Sequence, residues 1–264
     1  MSRAASLSRA RQYSQLALYK VYAELREEVS RHYIGIAWWV LDPILYMLVF
    51  YVVFGVLPIR NRPEEFVAFL LVGLVHWRWF QQSIQSAANS IIANRAVMQL
   101  VYVPKILFPV CSLMATAFKY LVILVLLLIY LWSSSLLPSA AYLYLPLLMG
   151  TQMLLILSLA LFAAAVVPLI PDLLFLIQHG LRMMFFVSGI FFAGAQLAPE
   201  HQEIFYLNPM ARIIEGYRDV MLDASAPELA PLLMISAVSA VAAALGILLL
   251  VRMDRSFPKL VADK

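Results

Sequence analysis

Three basic side chains, Arg78, Lys119 and Arg182, stand inside long apolar runs of this sequence, and one carboxylate, Asp42, does the same. At a bilayer centre an ionised side chain costs about 2.5–3.5 kcal/mol on insertion scales, so each needs a partner, a wet cavity or a transport task. Arg78 is the sharpest case: it lies in His76–Trp77–Arg78–Trp79–Phe80, twelve residues beyond Phe66. At about 1.5 Å per residue this is close to the midplane of a span that begins near Phe66. It serves either helix packing through an ion pair or a polar transport pathway. Arg182, with His179, sits nearer the end of its span, where a long side chain reaches the surface by snorkelling. Asp42 precedes Pro43 and is an ion-pair candidate for one of these cations.

Aromatic residues recur at helical spacing beside these charges. Tyr46, Phe50 and Phe54 share one face, Trp77 and Phe80 another, and Phe185 and Phe186 fall in the middle of a later apolar run. Such stripes either pack helices or line a channel whose rings face a substrate with mixed polar and C–H surfaces.

Other chemistries are poorly supplied. No phosphate-binding G-x-x-x-x-G-K-[ST] loop occurs and none of the five lysines follows a glycine, so energy from ATP has to come from a partner chain. His32, His76, His179 and His201 are scattered, with no i, i+4 pair, which argues against a zinc site. His76 and His201 are the candidate bases for an intramembrane hydrolase or acyltransferase, yet no nucleophile pairs legibly with either. Cys111, the single cysteine, reads as a small buried side chain.

The elements that must hold these residues are membrane helices. The chain of 264 residues is 64% hydrophobic and 13% charged, with a mean hydropathy of +0.87. A soluble chain averages about half apolar and a quarter charged. Apolar stretches long enough to cross a hydrocarbon core of about 30 Å fall at about 34–57, 66–91, 106–132, 140–167, 173–195 and 229–252. The arginines that punctuate the first thirty residues argue against a cleavable signal peptide, and the first span is its own insertion signal.

Dividing Lys and Arg among the resulting loops puts twelve on one side and four on the other. The positive-inside rule then places both termini in the cytoplasm. The net charge of +4 reports this orientation before it reports any nucleic-acid partner.

Three further segments carry a pattern. In 13–33, Leu18, Tyr22, Leu25 and Val29 repeat at spacings of four, three and four, and Lys20, Glu24, Glu27 and Arg31 repeat the same spacing on roughly the opposite face. This predicts an amphipathic helix along the inner interface; an ordinary charged lead-in to a span is the blander reading. The loop from Ile92 to Lys105 mixes apolar and charged residues before Pro104 and is long enough for a short docked helix. Segment 196–228, framed by Pro199, Asn208–Pro209 and Pro227, is apolar enough to dip back into the outer leaflet. The expectation is one all-α membrane domain over residues 1–264, with six spans, an N-terminal interface helix and short re-entrant outer helices between spans five and six.

The run from Arg31 to Pro43, RHYIGIAWWVLDP, followed by VVFGV at 52–56, resembles the opening of type-2 ATP-binding-cassette exporter permeases, nearest their polysaccharide-export subgroup. Leu71–Val72–Gly73–Leu74 with Trp77 and Phe80, Asn89–Ser90 through Val103–Pro104–Lys105 to Pro109, and Asn208–Pro209–Met210 with Gly216–Tyr217–Arg218–Asp219 agree in order. His32, Ile34 and Asp42 depart from the pattern.

The resemblance implies a homodimer in a bacterial inner membrane, bound to two nucleotide-binding subunits that hold the ATP and magnesium, with no cofactor on this chain. It further implies an ATPase-coupling segment with Asn94, Arg95, Gln99, Tyr102 and Lys105, and a periplasmic gate with Asn208, Pro209 and Arg212. A substrate pathway would run past Tyr46, Phe50, Phe54, Trp77, Arg78, Phe80, Phe185 and Phe186. The expected cargo is a lipid-linked polysaccharide, foremost lipopolysaccharide O-antigen, with capsule, teichoic acid, drug or lipid as same-class alternatives. A proton-coupled transporter using Asp42, His76 and Arg78 as a relay is the alternative from another class.

Overall fold

The computed structural model describes residues 15–27, 63–100, 102–134 and 136–254, with isolated positions 30, 37, 41, 44, 45, 48, 49 and 52. Most of the expected first span, including Asp42, Tyr46, Phe50 and Phe54, lies outside the described residues. Among the described residues every regular element is helical: α1 (15–27), α2 (Pro63–Ala93), α3 (Arg95–Leu100), α4 (Leu107–Ser133), α5 (Leu145–Val166), α6 (Leu173–Val187), α7 (Pro199–Phe205), α8 (Pro209–Met221) and α9 (Leu229–Met253). Short 3-10 turns at Ala140–Tyr144 and Gly194–Gln196 complete the path.

Three of these stretches, Leu107–Ser133, Ala140–Val166 and Leu229–Met253, are long and apolar enough to cross a bilayer. They fall where spans three, four and six were expected. The outer apolar surface of α9 (Leu233, Met234, Val238, Val241, Leu245) is exposed, which is stable against lipid and not against water. α2 covers the expected second span, and its 31 residues rise about 46 Å, but polar side chains along one face dilute its apolar character.

α6 is shorter than its apolar run predicts. It stops at Val187 after 15 residues, a rise of about 22 Å, where a span to residue 195 was expected. The Ser188 hydroxyl donates back to the Met184 carbonyl at 2.6 Å, and Gly189 turns the chain with φ of 72°, in the left-handed region that a side chain disfavours. Apolar residues continue past this Ser-Gly break, so hydropathy runs through it.

α2 is the central element and packs on α4, α5, α6 and α8. Its buried face contributes Trp77, Trp79, Phe80 and Ile84 to the main core, where Trp79 stacks on Tyr120 of α4 at 4.0 Å and His76 stacks on Tyr217 of α8 at 3.5 Å. Polar bonds tie the helices: Ser83 to Thr116, Thr151 to Ser236, each 2.8 Å, and Gln152 Nε2 to the His76 carbonyl, also 2.8 Å. Within apolar surroundings such bonds contribute about 0.6–2 kcal/mol each. α5 and α9 approach closely through small residues: a Cβ on Gly246 would sit 2.9 Å from Leu161.

Candidate translocation site and its two ends

One face of α2 and one of α6 meet around a cavity of about 580 Å³. α2 supplies Leu74, Arg78, Gln81, Gln82 and Gln85, spaced by four, three, one and three, so all lie on one side of the helix. α6 supplies Arg182, Phe185 and Phe186, again on one side. Phe186 is 63% exposed, and its ring meets Phe185 edge-on at 5.2 Å. Among the described residues no carboxylate lines this cavity.

The expected pathway residues are not equivalent here. Arg78, Phe185 and Phe186 line the cavity. Trp77 and Phe80 are 0% and 2% exposed and pack behind it, Trp77 against Phe80 at 5.3 Å and Phe185 at 6.1 Å. Tyr46, Phe50 and Phe54 lie outside the described residues. Lys119 is buried in α4 and is not among the residues that line this cavity, and His179 bonds the Phe175 carbonyl one turn back in α6.

At the C-terminal end of α2 the chain turns into α3 at Asn94, whose amide donates to the Ser90 carbonyl at 2.7 Å. Lys20 of α1 donates to Asn94 Oδ1 at 2.6 Å, pairs with Glu24 at 3.0 Å, and lies over the Phe108 ring. Lys20 and Glu24 of the polar stripe of α1 are therefore half-buried against the protein, while Leu18 and Tyr22 of its apolar stripe are exposed. In α3, Gln99 is exposed, Arg95 is half-buried and Met98 is buried.

Lys105 is buried (1% exposed), with Nζ donating to the Val103 carbonyl at 3.0 Å over the Tyr102 ring. Asp254, just past α9, accepts from the Lys105 backbone N–H at 2.9 Å and from the Tyr102 hydroxyl. The end of α9 is thereby tied to the segment that follows α3.

The other end of α2 holds the 196–228 segment. Asn208 caps α8, its Oδ1 accepting from the Met210 N–H at 3.0 Å, with Pro209 at the first helical position. Its amide also donates to Ser188 Oγ at 2.8 Å, joining the cap of α8 to the end of α6. Arg212 lies over the Tyr206 ring at 3.7 Å and pairs with Glu228 at 3.0 Å.

Arg218 is the anchor of this end. It is buried, and its guanidinium donates to the carbonyls of Phe69, Gly189 and Ile190 while lying 3.3 Å over the Phe69 ring. A Cβ on Gly73 would come within 2.7 Å of Arg218 Nη2, so the glycine makes room for the guanidinium. Glu215 accepts from the Gly194 N–H at 2.8 Å and from the Tyr206 hydroxyl at 3.2 Å. Burial and neighbouring Glu215 push the Tyr206 hydroxyl up to about 12. Burial, then the carboxylates of Asp223, Glu215 and Glu228, raise Asp219 to about 6.

Sequence reasoning did not single out Gln81, Gln82, Gln85 or Asp254. The glutamines were detectable, because they repeat the register of Arg78 within an apolar helix. Asp254 had no local signal; its partners are about 150 residues away in the chain.

The sequence pattern of the ABC-2 type transporter family matches residues 21–222 of this chain. The chain is 26% identical over 232 residues to an O-antigen export system permease protein, RfbA, of Myxococcus xanthus, covering 87% of this chain and 89% of that protein. It is 23% identical to an RfbA of Klebsiella pneumoniae over 76% of this chain and 77% of that protein. It is 22% identical to the polysialic acid transport protein KpsM of Escherichia coli over 75% and 78%.

Proposed function

Because the chain belongs to the ABC-2 type transporter family, we propose that it is the permease half of an exporter that moves a lipid-linked polysaccharide, foremost O-antigen, across a bacterial inner membrane. ATP is hydrolysed by a separate nucleotide-binding subunit that holds the nucleotide and magnesium. The observation that carries this reading is the match, over most of both chains, to permeases of O-antigen export. The similarity to a polysialic acid transporter keeps capsule as the second cargo.

In this reading residues 1–264 form one membrane domain of six spans with both termini cytoplasmic, and two copies assemble with two ATPase subunits. Asn94, Arg95, Gln99 and Tyr102 form the coupling face, and the buried Lys105 of the same segment supports Tyr102 from beneath. The exposed apolar stripe of α1 rests on the inner leaflet while its polar face braces Asn94. Asn208, Pro209 and Arg212 belong to the periplasmic gate, and Arg78, Phe185 and Phe186 line the pathway with Trp77 and Phe80 supporting them. Tyr46, Phe50 and Phe54 complete that pathway from the first span.

Sugar rings offer C–H faces to aromatic faces and hydroxyls to polar groups, so this lining lets a polymer slide without one tight contact. Deleting the gene should abolish surface polysaccharide while its lipid-linked precursor accumulates on the cytoplasmic side. Unchanged surface polymer in the deletion strain would refute the assignment, and the identity of the accumulated glycan separates O-antigen from capsule.

A further inference from the structure

We propose that His76, Tyr120, Gln152 and Tyr217 enclose a bound water deep in the helix bundle, which fastens the short outer helix α8 to α2, α4 and α5. Each of these four helices contributes one of the side chains, and each side chain has one polar atom without a protein partner: His76 Nε2, the Tyr120 and Tyr217 hydroxyls, and Gln152 Oε1. His76, Gln152 and Tyr217 are 0% exposed and Tyr120 is 3% exposed, so bulk solvent does not answer these atoms. They are also neighbours. The Tyr217 ring stacks on His76 at 3.5 Å, Tyr120 meets His76 edge-on at 5.7 Å, and Gln152 Nε2 donates to the His76 carbonyl at 2.8 Å. Trp79, stacked on Tyr120 at 4.0 Å, adds an unpartnered indole N–H on the same side of α2. A Cβ on Gly216 would sit 2.8 Å from Leu148, one turn before Gln152, so α8 and α5 approach closely beside the site.

Tautomer and ring geometry define what fits among these groups. His76 Nδ1 lies 2.6 Å from the Val72 carbonyl, which can only accept, so Nδ1 carries the proton and Nε2 of the neutral ring is an acceptor. Its lone pair lies in the ring plane, whereas Tyr217 covers the ring face and its hydroxyl does not meet that lone pair. Gln152 Oε1 is a second acceptor, because the amide nitrogen is the atom committed to the His76 carbonyl. The two tyrosine hydroxyls lie close together without forming a direct hydrogen bond. Two acceptors and two hydroxyls match a molecule with two donors and two lone pairs. Water is that molecule, and a buried water typically makes about three bonds to groups that lack protein partners. A water-mediated bond also holds α8 without drying its partners when α8 shifts, because the water stays with His76 and Gln152. Tyr217 is thus fastened reversibly beside the carbonyl clamp of Arg218.

The test is hydroxyl-radical footprinting of the full chain in lipid nanodiscs, in which a short X-ray pulse turns bound water into radicals that label the residues around it. Tyr120 and Tyr217 should be labelled several-fold faster than Phe80 and Phe108, which are equally buried and offer water no polar side-chain atom. Labelling no faster than those two rings overturns the site. Tyr217→Phe supplies an independent check through the sign of its effect. With water bound, loss of the hydroxyl should lower the unfolding midpoint by about 2–4 °C, the shift expected for one hydrogen bond. An orphan hydroxyl would instead leave the midpoint unchanged or raise it, because the variant removes an unsatisfied buried group, and that outcome overturns the proposal as well.

Discussion

Arg218 donates to carbonyls on two separate stretches, Phe69 in α2 and Gly189 with Ile190 after α6, so its guanidinium holds three segments in register. Replacing it with methionine leaves those carbonyls short of donors in a buried site and should cost on the order of 3 kcal/mol. Lysine supplies a point charge without the fork and should recover only part. Thermal unfolding of the purified protein checks this, and an unchanged midpoint for Arg218→Met would contradict the anchoring role. The aromatic residues divide in a similar way. Trp77→Ala removes a fully buried ring and should cost about 3–5 kcal/mol, lowering the amount of folded protein. Phe186→Ala, at an exposed ring, should leave protein level unchanged and lower surface polysaccharide instead; a loss of folded protein there would place Phe186 in the core and not in the pathway. Helical spacing marked Trp77 as an aromatic stripe member, and Phe186 stood out by its place in the middle of an apolar run. It could not say which side of α2 or α6 would be covered, because that depends on the neighbours that fold against each helix.

At the scale of elements, the long helices were legible because a single physical requirement, apolar length, specifies them. α4, the α5 stretch and α9 begin and end within a residue or so of the apolar runs. The end of α6 was not legible, since Ser188 and Gly189 break the helix inside an apolar run by backbone geometry that hydropathy does not record. The Asn208–Pro209 start of α8 was readable as a turn, and its capping role follows from the same residue types. The amphipathic pattern of α1 was also readable, whereas the docking of its polar face on Asn94 required the folded neighbour. The tie from Asp254 to Tyr102 and Lys105 joins the end of α9 to the segment proposed to couple to the ATPase. Asp254→Ala should therefore weaken recovery of the ATPase subunit on co-purification while the permease itself stays in the membrane. Full recovery of that subunit would show that the end of α9 does not position the coupling segment.

For the whole molecule, three structural features follow one another along α2: the short helix α3 braced by Lys20 at one end, a polar and aromatic cavity along its length, and a capped helical hairpin anchored by Arg218 at the other. The family was legible from short motifs spread in order along the chain, from Leu71–Val72–Gly73 to Gly216–Tyr217–Arg218–Asp219. The cargo was less legible, since aromatic and amide linings accept many glycans. Energy supply is the point on which the account stands or falls, as the chain carries no phosphate-binding loop of its own. The direct measurement is translocation of a lipid-linked glycan in proteoliposomes containing this chain and its nucleotide-binding subunit. The account predicts transport that requires ATP and both subunits, and that stops when residues 94–105 are deleted. Transport that persists without the ATPase subunit and collapses with the proton gradient would contradict it.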